Sequence, residues 1–168
     1  ASRTGKRKSY MDEIARLAKD ILAAPRTYLC GNGGSAANAI HIANDWIACG
    51  IDARALTADI ATLTAIANDF GYKHIFSRQI YVMGEKGALL IALSGSGNSP
   101  NILKAIHAAK KKNMTTWAII GAWKDGNGRL GKASRSAHHV IARGANMQNA
   151  EEWQLRIGHA VMKCLKGF

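Results

Sequence analysis

The 168-residue sequence contains little cysteine, and its three cysteines form no recognisable pattern. Cys30, Cys49 and Cys164 are odd in number and include no C-x-x-C pair, which argues against a disulfide framework and against a zinc ribbon. Long apolar runs are also missing, since none approaches the roughly 18 residues of a membrane span. The basic amino terminus leads into Asp12 and Glu13 instead of an apolar core, so no signal peptide is evident. These absences predict a cytoplasmic protein without a membrane partner.

Acidic side chains are scarce as well, because 11 Asp and Glu face 23 Lys and Arg, for a net charge of +12. Such a surplus suits an anionic substrate, nucleic acid or plain solvated surface. Aromatic residues make up only 7% of the chain, and they are not interleaved with the basic ones. We therefore expect most of the charge to be solvated surface, and steering of a phosphorylated substrate is the second interpretation. No nucleic-acid partner is expected.

Apolar residues make up 48% of the chain, which suits one globular domain with a sizeable core. Residues 1–8 are predicted as a basic arm and residues 9–168 as a single domain. Short apolar runs predict strands at 27–30, 53–57, 88–93, 115–120 and 138–142. Helical spacing of apolar residues separates them, at 10–24, 35–48, after Asp59, and at 75–83, 101–112 and 150–165. Asp59 is predicted to cap the helix that follows it, and residues 68–71 are predicted as a turn. This alternation predicts an α/β fold with a doubly wound parallel sheet.

A glycine-rich turn, residues 31–34, follows the first predicted strand and precedes a helix with Ser35 at its N-cap. A turn of this kind directs several backbone N–H groups at one point, and the helix dipole favours an anion there. His41 and Asp45 lie four residues apart on one face of the same helix. The combination predicts an anion site with a base and an acid nearby.

The same turn also fits a dinucleotide fingerprint, Gly31-x-Gly33-x-x-Ala36, with Asp59 where a ribose ligand would lie. A lone fingerprint of this kind is weak. A second, serine-rich loop after the third predicted strand argues against a dinucleotide site, because a dinucleotide enzyme has no need of serines at the end of that strand.

That second loop, residues 94–100, carries Ser94, Ser96 and Ser99 interleaved with glycine. Ser99 is predicted as the N-cap of the helix that follows, and Pro100 as its first residue. Three hydroxyls and the N–H groups of a helix start suit a phosphate monoester. One serine at a helix start is usually only a cap, but three within six residues favour anion binding.

Histidines elsewhere are harder to assign from spacing. His159 lies on the closing helix, which has Glu151 and Glu152 near its start, and it fits a buried structural histidine as well as a functional one. The remaining four histidines carry no second feature and are interpreted as structural or surface residues: His74, His107, His138 and His139.

Four motifs together resemble the sugar isomerase (SIS) domain family, and above all its phosphoheptose isomerases. They are G-N-G-G-S-A-A-N-A-x-H at 31–41, L-T-A-I-A-N-D-F-G-Y-x-x-x-F-S-R-Q at 63–79, S-G-S-G-N-S-P-N-I-L-K-A at 94–105 and K-D-G-N-G at 124–128. The resemblance spans roughly residues 27–166. It implies a flavodoxin-like sheet of five parallel strands with helices on both faces. It also implies a homotetramer with shared active sites.

The resemblance implies that the chain interconverts sedoheptulose 7-phosphate and a mannoheptose 7-phosphate, an early step toward lipopolysaccharide heptose. Asp45 is then the catalytic base, in place of the family's glutamate, and His159 the acid. Expected substrate contacts are Asn32, Gly33, Ser35, Asp59, Ser94, Ser96 and Ser99. Some members bind zinc, and the corresponding residues are His41, Asp45, Glu151 and His159.

This sequence departs from the family pattern at several of these positions. Asp45 is one methylene shorter than the usual glutamate, Glu151 replaces a glutamine, and Gly95 replaces a threonine. Glu151 and His159 would also lie about 12 Å apart along a straight helix. They could share an ion only if Glu151 precedes the helix or if two subunits contribute ligands. Two alternatives stay open, a non-catalytic regulator that binds the replication initiator and an isomerase of another phosphosugar.

Overall fold

The computed structural model of the chain describes residues 10–121, 131–142 and 146–167. The predicted arm at 1–8 and the motif at 124–128 lie outside these residues. None of the helices within the described ranges is long and apolar enough to cross a membrane.

Five strands form one parallel sheet in the order β2-β1-β3-β4-β5. The strands are β1 (Thr27–Cys30), β2 (Ala53–Ala55), β3 (Leu89–Ser94), β4 (Thr115–Gly121) and β5 (His138–Ala142). The predicted doubly wound α/β fold and its five strands are confirmed. The second strand is two residues shorter than predicted.

Seven α-helices are assigned in the described residues. They are α1 (Tyr10–Ala23), α2 (Gly34–Ile47), α3 (Ile60–Phe70), α4 (Ser77–Met83), α5 (Pro100–Lys111), α6 (Ala133–Ser136) and α7 (Met147–Lys166). The predicted turn at 68–71 is wrong in part, because α3 continues to Phe70, and only Gly71, its C-cap with a φ of 88°, leaves the helix. The short helix α6 was not predicted, since four residues are too few for a periodic pattern.

Helices cover both faces of the sheet, and each face has its own hydrophobic core. Helices α1, α2 and α7 pack on the face that includes Leu29 and Ile91. Helices α4 and α5 pack on the other face, with Tyr28 and Leu90, and α3 lies against the same core. Neighbouring residues of one strand therefore enter different cores, as the two-residue period of a strand requires.

The chain leaves β1 and β3 toward opposite faces of the sheet, although the two strands are hydrogen-bonded neighbours. In an open α/β sheet, this reversal of direction leaves a crevice beyond the carboxyl ends of the two strands. Both predicted anion loops, 31–34 and 94–99, lie at this crevice. The fold thus brings together two loops that are some sixty positions apart in the sequence.

Candidate functional site

The first loop passes very close to the helix that it precedes. A Cβ on Gly31 would lie 2.5 Å from the backbone oxygen of Ser35, so only glycine fits there. Gly33 has a φ of 54° and forms the N-cap of α2. The predicted cap at Ser35 is therefore wrong, because α2 begins one residue earlier, at Gly34. Ser35 lies inside the first turn and is only 3% exposed.

Two serines of the second loop stabilise its turns through their side-chain oxygens. Ser94 Oγ accepts a hydrogen bond from the Gly97 N–H at 3.0 Å, and Ser96 Oγ accepts one from the Asn98 N–H at 3.2 Å. A serine hydroxyl has one proton to donate in addition to its lone pairs. Both hydroxyls thus keep a proton for a ligand oxygen. Ser99 is the N-cap of α5, as predicted, but its side chain makes no capping hydrogen bond.

Two asparagines connect the two loops across the crevice. Asn32 Nδ2 donates to Asn101 Oδ1 at 2.9 Å, and Asn101 Nδ2 donates to Asn32 Oδ1 at 2.7 Å. The Tyr72 hydroxyl donates to the same Asn32 oxygen at 3.0 Å. Asn32 and Gly33 also line a cavity of about 230 Å³. Asn101 and Tyr72 were not singled out from the sequence, although both lie inside the motifs that carry the resemblance.

A second group of functional side chains lies on the outer faces of α2 and α7. Asp45 Oδ2 lies 3.4 Å from His41 Nε2 and 3.3 Å from His159 Nε2. The two Nε2 atoms are 3.2 Å apart. Three potential ligand atoms therefore lie within 4.8 Å of one another. The structure brings Asp45 and His159 together within one chain.

The packing of α2 against α7 explains why His159 reaches Asp45. Asn38 Nδ2 donates to Gln154 Oε1 at 3.0 Å, and Trp46 Nε1 donates to the Gly158 carbonyl at 3.2 Å. The residue nearer the start of α2 is bonded to the residue nearer the start of α7, and the later residue of α2 to the later residue of α7. The two helices therefore run in the same direction. His159 directly follows Gly158, which the Trp46 bond holds against the second half of α2.

Glu151 lies elsewhere, at the start of α2. Its carboxylate packs against Gly34 so tightly that a Cβ there would lie 2.6 Å from Oε1 and closer still to Oε2. Asn38 Nδ2 also donates to the Glu151 carbonyl at 2.9 Å. The side chain is not one of the three that form the potential metal group. Within one chain, the four-ligand set expected from the resemblance is thus reduced to three.

Asp59 has a clear structural role at the start of α3. Its Oδ1 accepts from the Thr62 N–H at 3.1 Å and its Oδ2 accepts from the Thr62 hydroxyl at 2.6 Å. The hydroxyl bond and then the N–H bond lower the pKa of this carboxyl below its ordinary value. The predicted helix cap is confirmed. Asp59 lines a cavity of about 540 Å³ beside α4, which is separate from the one at Asn32.

The two functional groups are well separated along α2. Ser35 and Asp45 are ten positions apart on this helix, which at a rise of about 1.5 Å per residue corresponds to about 15 Å along its axis. The loops and the His41–Asp45–His159 group therefore do not converge on one point in a single chain.

Comparison with known proteins places the chain in a family. Residues 4–121 match the sequence model of the SIS domain. The chain belongs to the SIS domain family. Among curated proteins, the phosphoheptose isomerase of Sulfurimonas denitrificans is 39% identical over 158 residues, covering 90% of this chain and 78% of the relative. That of Rhodospirillum rubrum is 44% identical over 145 residues, covering 83% and 74%.

Solved structures of SIS proteins agree with these sequence matches. The phosphoheptose isomerase from Neisseria gonorrhoeae superposes with a TM-score of 0.83 at 30% identity, over 95% of this chain and 86% of that one. The protein from Francisella tularensis gives the same TM-score at 27% identity, over 93% and 85%. The chain therefore belongs to the phosphoheptose isomerase branch of the SIS family. The dinucleotide interpretation of the first loop finds no support in these matches.

Proposed function

We propose that this chain is a phosphoheptose isomerase that interconverts sedoheptulose 7-phosphate and D-glycero-D-manno-heptose 7-phosphate. The observation that carries the proposal is the 3.3 Å contact between Asp45 and His159, in a chain whose relatives bear the name phosphoheptose isomerase. A carboxylate beside an imidazole is the pair that aldose–ketose exchange requires. In the cytoplasm, the product would supply the heptose of lipopolysaccharide, as the family resemblance implies.

The reaction moves one proton between carbons and one between oxygens. In the proposed mechanism, the Asp45 carboxylate removes the proton from the carbon next to the carbonyl, which leaves an enediol. The His159 imidazole donates a proton to the carbonyl oxygen and accepts one from the neighbouring hydroxyl. Asp45 then returns its proton to the other carbon. Its side chain is about 20% exposed, so substrate can reach the carboxylate.

The crevice between the loops is the proposed phosphate site. Ser94 and Ser96 each keep a hydroxyl proton to donate, and Ser99 has no competing side-chain cap bond. The N–H groups at the start of α5 add further donors and a favourable dipole. Asn32 and Gly33 line the adjoining cavity and are assigned to the sugar. Binding of the remote phosphate would align the reacting carbons with the base.

His41, Asp45 and His159 form a donor set that fits a divalent cation. Two imidazole nitrogens and one carboxylate oxygen, all within 4.8 Å, are ligands that zinc accepts, and three protein ligands are typical of catalytic sites. A bound zinc would supply polarisation of the substrate carbonyl. Glu151 is left out of this set unless a second subunit contributes it.

A second copy of the chain would complete the active site. About 15 Å of helix α2 separates Ser35 from Asp45, which is more than an extended seven-carbon chain covers. Ile40 and Ile47, on the same helix, are 44% and 57% exposed. Apolar side chains in this position suit burial against another subunit. In the proposed homotetramer, the serine crevice of one subunit faces the Asp45–His159 pair of another.

The direct experiment is turnover of sedoheptulose 7-phosphate by wild-type chain and by Asp45→Asn, with and without added zinc. We expect Asp45→Asn to lower kcat by about a thousandfold, because a positioned general base contributes on that order. Glu85→Gln is the control and keeps wild-type turnover, because Glu85 pairs with Arg26 near the amino ends of β1 and β3, away from the loops at their carboxyl ends. A wild-type chain inactive on every phosphosugar tested would contradict the proposal, whereas activity on a different phosphosugar would revise only the substrate.

A further inference from the structure

The cavity of about 540 Å³ beside α4 is formed by residues of β2, α3 and α4, together with the loop between β2 and α3. Cavities of this size hold small-molecule ligands in many proteins. Its larger apolar side chains are Leu56, Ile66, Phe70, Val82 and Met83. They form a wall against which the apolar body of a ligand can pack.

Gln79 brings a buried hydrogen-bond acceptor to this cavity. The residue lines the cavity and is only 7% exposed. Its Nε2 donates to the Leu56 carbonyl at 3.0 Å and to the Ile75 carbonyl at 2.8 Å. Two carbonyl partners fix the orientation of the amide, because only the nitrogen can donate to them. Gln79 Oε1 accepts no hydrogen bond from the part of the chain that the structure describes.

The unpartnered oxygen indicates what one end of a ligand must carry. A buried amide oxygen without a partner is unfavourable, and buried polar groups in proteins are almost always hydrogen-bonded. An N–H or O–H group of a ligand in the cavity would supply the missing partner of Gln79.

Two exposed arginines line the same cavity, Arg54 from β2 and Arg78 from α4. The guanidinium carbon of Arg78 lies 3.4 Å from the centroid of the Phe70 ring, and within the described ranges Arg78 has no ion pair. Arg54 Nε donates to Asp52 at 3.2 Å, which leaves its two terminal nitrogens for a ligand. Asp59 carries the one carboxylate of the described lining, and both its oxygens accept hydrogen bonds from the first turn of α3. The lining therefore favours an anion, and guanidinium groups match the geometry of phosphate.

We propose that this cavity is a binding site for a nucleoside monophosphate whose base carries an exocyclic amino group. The base packs against the apolar wall, its amino group donates to Gln79 Oε1, and the phosphate binds Arg54 and Arg78. The cavity shares no lining residue with the one at Asn32. The site is thus additional to the proposed sugar phosphate site and does not depend on the proposed function.

The test is calorimetric titration of the full chain with adenosine 5′-monophosphate, comparing wild type, Arg54→Gln, Arg78→Gln and Arg135→Gln. Arg135 is the matched control, because it is an exposed arginine on α6 that does not line the cavity. We expect Arg54→Gln and Arg78→Gln each to weaken binding by about tenfold, because each removes a charged donor to the phosphate. Arg135→Gln should bind like wild type. A wild-type chain that does not bind the nucleotide, or equal affinities in the three variants, would overturn the proposal.

A second titration tests the contact with Gln79 without altering the protein. Purine riboside 5′-monophosphate keeps the ring system and the phosphate but lacks the amino group, so we expect wild type to bind it about tenfold more weakly. Equal affinities for the two nucleotides would overturn the assignment.

Ser96→Ala separates this site from the serine loop and should bind adenosine 5′-monophosphate like wild type. Loss of binding in Ser96→Ala but not in Arg78→Gln would show that the serine loop holds the phosphate of the nucleotide. That result would overturn the inference and leave the proposed function intact.

Discussion

Each of the three residues in the His41–Asp45–His159 group contacts both of the others, at 3.2 to 3.4 Å. This closeness has a chemical consequence, because two imidazoles and one carboxylate either share protons or share a cation. The same Asp45 is assigned as the base. Occupancy of the group by a metal and proton removal by Asp45 are therefore linked, and both can be measured on single-residue variants.

Zinc binding should depend on the histidines of this group. We expect His159→Ala or His41→Ala to lose most of the zinc that the wild-type chain retains after incubation and gel filtration, because each removes one of three ligands. Elemental analysis of the recovered protein measures this. His107→Ala, an exposed histidine on α5, is the control and should keep wild-type zinc. Equal zinc contents in all four proteins would show that the group does not hold the ion.

Asp52 should make stability depend on pH in the acid range. Arg26 donates to it at 2.8 Å and Arg54 at 3.2 Å, and the Arg26 bond is the largest cause that lowers its pKa from the ordinary value of 3.8. A lowered folded-state pKa stabilises the protein above the unfolded-state pKa, and this contribution is lost as the pH falls through the folded-state value. Asp52→Asn should therefore destabilise the chain at pH 7 and not at about pH 2.

Urea unfolding at the two pH values measures the effect of Asp52→Asn. The pair is partly exposed, so the difference at pH 7 should not exceed about 1 kcal/mol. Glu152→Gln, whose side chain has no ion pair in the described part of the chain, should show no such difference. A constant difference at both pH values would mean that Asp52 acts by packing and not by charge.

At the scale of elements, the contact between α2 and α7 positions the candidate active site. Gly158 lies against Ile42, and a Cβ there would come within 2.6 Å of Ile42 Cγ1. The helix could otherwise accommodate alanine, which has the higher helix propensity. The glycine is thus required by the close approach of the two helices and not by the conformation of α7.

Gly158→Ala should destabilise the chain by about 1–3 kcal/mol, because the added methyl overpacks the interface. It should also lower turnover, since His159 is the next residue. Gly167→Ala, whose Cβ would meet neighbours only at 3.5 Å, is the control. Ile42→Ala should lower the free energy of unfolding by less in the Gly158→Ala background than in wild type. Strictly additive effects in urea unfolding would mean that the two side chains do not conflict.

Helix starts show how far local sequence determines the elements. Asp59 was predicted to cap α3 and does so, because a carboxylate and a threonine three residues later are sufficient for that motif. Ser35 was predicted to cap α2 and does not. The Gly33 carbonyl accepts the first hydrogen bonds of the helix, from the Ala36 and Ala37 N–H groups at 2.9 and 3.2 Å, and this start depends on the path of the whole loop.

At the scale of the whole molecule, the proposed function would make assembly a condition for activity, because the loops and the His41–Asp45–His159 group are separated within one chain. Ile47→Glu should convert the assembly into smaller species and lower kcat by at least about a hundredfold, because the two parts of the site would no longer align. Light scattering coupled to gel filtration, together with turnover, measures both effects. Leu22→Glu on α1 is the control, because Leu22 is likewise a partly exposed apolar residue, at 44%. Unchanged mass and activity in Ile47→Glu would contradict the shared site.

The sequence by itself determined the alternation of strands and helices and the chemistry of each loop. Apolar runs and glycine turns act locally, so β1, α5 and the serine loop could be predicted within a residue or so. The tertiary structure alone decided which functional residues meet. His41 and His159 are 118 positions apart, and their contact depends on the Asn38–Gln154 and Trp46–Gly158 bonds between α2 and α7. The same packing places Glu151 at Gly34 instead of beside the histidines, because a rigid helix cannot bring residues eight positions apart to one point.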